Sequence, residues 1–123
     1  MDEINLRNYA YLGDAVWELL IREKTILLTN NAKKLHKITT DKVKGHFQAE
    51  LLEKLENTLT EEEKELARRA RNLPIPVARR SCQSEYRQAT AFEALIGFWF
   101  KNNKERFNYI ISQLEKNLDF SEI

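Results

Sequence analysis

Twelve consecutive residues, Ala89 to Phe100 (ATAFEALIGFWF), contain a single ionisable side chain, Glu93. The run does not alternate and is long for a buried strand, so it reads as a helix that is apolar on nearly every side. Such a helix is stable only when other elements surround it, which places it at the centre of a fold. It is too short to span a bilayer and carries a charge, which argues against a membrane protein. An unpartnered carboxylate inside the fold would cost on the order of several kcal/mol. Glu93 therefore needs a partner. One solution is a salt bridge to an arginine such as Arg22 or Arg87. The other is a shared divalent cation with a second misplaced acid, Asp14, whose helical neighbours Ala10, Tyr11 and Trp17 set it beside an apolar stripe.

The remaining segments supply the helices that would surround this one. Leu6, Ala10, Gly13, Val16, Trp17, Leu20 and Ile21 recur at steps of three and four, which predicts one long helix from about Asn5 to Leu28. Asn30 and Asn31 break it, and a short basic helix follows over Ala32 to Lys37. Thr40 is expected to cap a third helix carrying Val43, Phe47, Leu51 and Leu55 at intervals of four. Thr60 with Glu63 forms a capping box, and acids in the first turn and arginines in the last complement the dipole of a helix ending near Arg71. Pro74 and Pro76 make Asn72 to Cys82 a loop. Ser84 can cap the central helix, which runs to about Lys101. Phe107, Ile110, Ile111, Leu114 and Leu118 form the stripe of the last helix. With no period-two segment of useful length, the expectation is an all-α fold of about six helices, a single domain over residues 1–123.

Composition narrows the function. One cysteine, Cys82, can form neither an internal disulfide nor a thiolate-rich zinc site. The N-terminal residues lack the order of a secretory signal, so the expected compartment is the cytoplasm. No glycine-rich phosphate loop of the Rossmann or P-loop kind is present. The formal net charge of +1 hides strong local fields. Lys33 to His46 holds five lysines against Asp41, Gln48 to Glu65 seven glutamates against two lysines, and Arg68 to Arg87 six arginines against Glu85. Such blocks either steer a polyanion to one face or simply solvate helix surfaces.

At its two anomalous carboxylates the chain resembles a known family. YLGDAVWELL is similar to the signature helix of the ribonuclease III nuclease domain, and TAFEALIGFWF to its second acidic motif. RRARN, the proline-bearing loop and EYRQATAFEALIG resemble more specifically the Mini-ribonuclease III branch, which lacks a double-stranded-RNA-binding domain. LGDA alone is a weak signal. The three motifs in this order, covering roughly Leu6 to Leu118, are a strong one. The resemblance implies an all-α, homodimeric, magnesium-dependent endonuclease of double-stranded RNA, acting in the Mini branch on 23S ribosomal RNA precursors.

Carried over by position, the resemblance makes Asp14 and Glu93 the catalytic, metal-binding carboxylates. Full-length members place further acids at the positions of Ala10 and Thr90, and the Mini branch lacks them too. One Mg2+ held by two carboxylates and several waters is therefore the expected centre. Asp41 falls roughly where the family has another acid, but it also suits the first turn of a helix after Thr40, and the helix-dipole reading is preferred. The chemistry implied is in-line attack by an activated water on a backbone phosphorus, leaving 5′-phosphate and 3′-hydroxyl ends.

RNA contacts are expected from Arg79, Arg80, Lys42 and Lys44. Tyr86 and Arg87 are assigned to site support or phosphate contact. His36 and His46 are read as surface or RNA-facing residues, and Trp17, Phe92, Phe98 and Trp99 as core or dimer interface. Two other readings fit the same charge pattern: a non-catalytic RNA-binding or ribosome-assembly module, and a helical protein-interaction domain. A ribosomal protein is a further possible partner.

Overall fold

The computed structural model describes residues 3–43 and 45–118, without the side chains of Glu3, Ile4, Arg79 and Arg80. Among the described residues six α-helices follow one another: α1 (Glu3–Thr25), α2 (Ala32–Val43), α3 (Gly45–Leu55), α4 (Glu61–Arg71), α5 (Gln83–Asn102) and α6 (Lys104–Glu115). A 3-10 turn, Val77–Cys82, precedes α5. There is no strand among the described residues. No helix of the described residues is long and apolar enough to cross a membrane.

The apolar run is central, as its composition demands. Ala91, Phe92, Ala94, Leu95 and Ile96 on α5 are sealed from solvent because α1, α3 and α4 pack around them. Trp17 of α1 meets Phe92 edge to face, with ring centroids 5.1 Å apart. Its indole Nε1 donates to the Lys42 carbonyl at 2.9 Å, tying α1 to the end of α2. Phe107, Ile110, Ile111 and Leu114 bury the predicted face of α6. Leu118 lies beyond that helix, half-buried against the same core.

Several helix boundaries follow local chemistry. Asn31 caps α2 by accepting from the Lys34 amide at 3.0 Å. Thr60 and Glu63 form the predicted capping box of α4. Glu63 also accepts from Arg106 at 2.7 and 2.9 Å and from Trp99 Nε1 at 2.8 Å, so one capping residue fastens α4 to α5 and α6.

Three expectations need correction. Thr40 does not cap a helix: α2 continues to Val43, and the Thr40 hydroxyl donates back to the Lys37 carbonyl at 3.1 Å. A threonine satisfied within its own helix gives the chain no reason to break there, and the next helix begins instead at Gly45, a poor residue for a helix interior. Ser84 lies inside α5, because the 3-10 turn runs directly into the helix and no side chain caps it. The segment read as a plain loop thus contains ordered helical turn over its second half.

Candidate active site

Two glycines bring the anomalous acids together. A Cβ on Gly13 would collide with the Glu93 carbonyl, and one on Gly97 with the Tyr9 carbonyl. Only residues without side chains let the α1 and α5 backbones approach this closely. Asp14 follows Gly13 directly, and its side chain is in hydrogen-bonding contact with Glu93.

The Glu93 carboxyl is half-buried, and neither arginine considered for it is its partner. Arg22 pairs with Glu18 at 2.8 Å. Arg87 donates to the Arg71 and Leu73 carbonyls, at the end of α4 and in the loop that follows. Burial, then the Asp14 charge and its hydrogen bond, push Glu93 up to about 8, against the opposing pull of a hydrogen bond from Gln48. Two acids in contact cannot both stay ionised cheaply, so near neutral pH the pair retains a proton unless a cation takes its place.

Both carboxylates open into a cleft of about 480 Å³ between α1, α3 and α5. Ala10, Gly45, Ala89 and Thr90 line it with little bulk, and Tyr86 forms part of its wall. No group of three or more histidine, cysteine, aspartate or glutamate side chains gathers as a metal site among the described residues. The donor set suits a hard divalent cation that takes two carboxylate oxygens and completes its shell with water or phosphate oxygens. Asp14 and Glu93 are the residues that would hold it.

The other expected residues are distributed differently. Asp41 sits near the C-terminal end of α2, ion-paired with Lys37 at 3.3 Å, and is not among the cleft-lining residues. The preferred helix-dipole reading for it fails, because the helix it would have opened does not start at Thr40. Lys42, in the last turn of α2, places its Nζ 4.6 Å from the centre of the Phe47 ring and is not among the cleft-lining residues. Arg87 braces the proline loop against α5, which favours support over phosphate contact. Lys44 and the side chains of Arg79 and Arg80 lie outside the described residues. His36 is exposed on α2. His46 is exposed between Glu50, at 2.9 Å, and Glu85, at 3.3 Å. Trp17, Phe92 and Trp99 are core residues.

Two site residues escaped the sequence reading. Gln48 is 2% exposed, and its Nε2 donates to Glu93 Oε2 at 3.4 Å. Its signal was present: it stands three, four and seven residues before Leu51, Leu52 and Leu55, on the buried face of α3. Arg7 carries the one positive charge among the described cleft-lining residues, and its guanidinium donates to the Pro74 carbonyl at 3.4 Å. It stands two helical turns before Asp14 on the same face.

Comparison with known proteins identifies the family. A model of the ribonuclease III domain matches residues 7–104, which include both carboxylates and both crossing glycines. A Mini-ribonuclease 3 from Gloeobacter violaceus is 40% identical, with the match covering 90% of this chain and 86% of the relative. The chain belongs to the ribonuclease III family, in its Mini-ribonuclease 3 branch. A Mini-ribonuclease 3-like protein from Fusobacterium nucleatum is 41% identical over 78% of this chain and 75% of its own length. The crystal structure of a protein from Fusobacterium nucleatum superposes with a TM-score of 0.79 at 37% identity, covering 91% of this chain and 92% of that one. Membership in the ribonuclease III family makes the protein an endoribonuclease, and the all-helical fold agrees with that of its solved neighbour.

Proposed function

We propose that this ribonuclease III-family enzyme cleaves double-stranded RNA with magnesium at the Asp14–Glu93 pair, leaving 5′-phosphate and 3′-hydroxyl ends. The observation that carries the proposal is the meeting of two carboxylates, one of them desolvated and in hydrogen-bonding contact with the other, in an open cleft. A bound Mg2+ would offset charge on the reacting phosphate and make a water acidic enough to serve as nucleophile. The chain's own residues do the rest. Asp14 and Glu93 hold the cation, Arg7 sits where it can take a neighbouring phosphate, and Tyr86 shapes the wall against which the strand lies.

Duplex RNA fits a surface that reads phosphates and shape, since the deep major groove of A-form RNA keeps side chains from the base edges. Lys33, Lys34 and Lys37 expose positive charge along α2, and Lys42, Lys44, Arg79 and Arg80 are the further RNA contacts we assign. The likeness to the Mini branch supports a 23S ribosomal RNA precursor as substrate, in the cytoplasm, with a ribosomal protein as a candidate partner.

We read residues 1–123 as one nuclease domain that works as a two-fold homodimer. Tyr11, Leu19 and Ile26 are 84%, 61% and 62% exposed, and with Ala15 the first two lie at intervals of four on α1. An exposed apolar row beside the site is what a symmetric partner would cover, giving two equivalent sites on one assembly. The apolar run of α5, by contrast, is covered mostly by its own chain.

The decisive experiment incubates purified protein with long duplex RNA, with and without magnesium, and maps the product ends. Magnesium-dependent cuts in both strands bearing 5′-phosphates are expected. Binding without cleavage would leave an RNA-binding module, and no RNA binding would leave a protein-interaction domain.

A further inference from the structure

We propose that Gln48 is a positioning residue for Glu93, fixing the orientation of that carboxylate so that it and Asp14 converge on one cation. The inference rests on the reading of Asp14 and Glu93 as cation ligands and adds a residue from a third helix.

Three observations carry it. Gln48 is buried at 2% exposure on the same face of α3 as Leu51, Leu52 and Leu55. An amide in such a place is unfavourable unless bonded, so its hydrogen bond decides whether the position is tolerated. Its Nε2 donates to Glu93 Oε2 at 3.4 Å, and Gln48 also lines the cleft into which the carboxylates open. Finally, the groups acting on Glu93 differ in kind. Asp14 offers it a like charge, whereas Gln48 offers a fixed donor.

The chemistry of the amide suits this task. A side-chain N–H is directional and engages one oxygen of the carboxylate, leaving lone pairs for Asp14's side of the site. A lysine or arginine at this position would also hold Glu93, but it would neutralise it and compete with a cation. Glutamine donates without adding charge. Hydrogen bonds that orient metal-ligating groups in this way commonly alter metal affinity or activity by about ten- to hundredfold when removed.

The test uses the intact protein. Gln48→Met keeps the length of the side chain and removes the donor. Isothermal calorimetry of the RNA-free protein with magnesium should show affinity weakened by about ten- to hundredfold. In cleavage assays the magnesium midpoint should move by the same factor, while KM for RNA at saturating magnesium stays unchanged and kcat recovers there. A purely structural role would lower Tm and leave both magnesium readouts where they were, and that result overturns the proposal.

If Gln48→Met does not fold, the wild-type protein provides the measurement. The Gln48 side-chain amide resonances should shift during a magnesium titration with the calorimetric midpoint, and unshifted resonances would again overturn the proposal. Glu93→Gln serves as the reference that abolishes binding. Wild-type protein with no magnesium binding would overturn the functional reading and this inference with it. Equal binding by wild type and Gln48→Met overturns this inference alone.

Discussion

Glu93 could be found in the sequence because a charge on a helix with no polar face has few physical excuses. Its partner could be narrowed but not chosen, since arginine and a cation-sharing acid solve the same electrostatic problem. The structure selects the acid. Gln48 was harder to see because an uncharged amide on an apolar stripe raises no comparable alarm, although its register on α3 placed it inside. Two predictions belong at this scale. Asp14→Asn and Glu93→Gln each remove a charge at nearly constant volume, and each should abolish cleavage while leaving the circular dichroism spectrum intact. Normal turnover by either at saturating magnesium would show that the site lies elsewhere. The second concerns pH. Glu93 titrates at about 8 in the folded protein against an ordinary 4.5, so between those values the native state holds a proton that the unfolded chain has released. Stability should therefore fall as pH rises through that window, with the full penalty present above it. In chelator, wild-type Tm should decline from about pH 5 to about pH 8.5 more steeply than that of Glu93→Gln, and magnesium should reduce the difference. Parallel curves for the two proteins would contradict the assignment of the raised carboxyl.

Most elements were legible because their apolar residues recur with the helical period, and the capping box at Thr60 marked the start of α4 directly. The α2–α3 boundary was misplaced for a local reason. Thr40 has the chemistry of a cap, but tertiary packing extends α2 past it: Thr39 is buried one residue earlier, sharing a hydroxyl hydrogen bond of 2.8 Å with Thr25 on α1. That α1 and α5 meet follows from pairing Asp14 with Glu93, but the closeness of their crossing was not legible, since a glycine in a helical pattern does not reveal which backbone will lie against it. That crossing supports a prediction at the scale of elements. Gly13→Ala must push α5 away at Glu93, and Gly97→Ala must push α1 away at Tyr9. Each should destabilise the fold by about 3 kcal/mol or more in urea denaturation, at the upper end of ordinary overpacking, because the obstacle is backbone and cannot rotate aside. A loss below about 1 kcal/mol would mean that the helices sit farther apart.

For the molecule as a whole, the apolar row on α1 and the basic segments predict separable behaviour. Sedimentation should give twice the 14.6 kDa chain mass, and Leu19→Lys should yield monomers with unchanged helical content. A wild-type monomer at micromolar concentration that still cuts both strands would defeat the dimer. Arg79→Ala combined with Arg80→Ala should weaken duplex binding and flatten its log–log salt dependence by on the order of one or two units, with calcium replacing magnesium to prevent cutting. An unchanged slope would reduce those arginines to solvation. The position of α5 among its neighbours has one more consequence, in the time domain. Amides along its buried stretch should exchange with solvent only when the whole molecule opens, whereas α2, which packs chiefly on α1 and α3, can open at lower free energy. Glu93 thus hangs from the slowest-exchanging part of the protein, and Asp14 from the helix pressed against it. Local breathing at the periphery would come and go many times without separating the two acids, and the site would persist until the molecule itself unfolds.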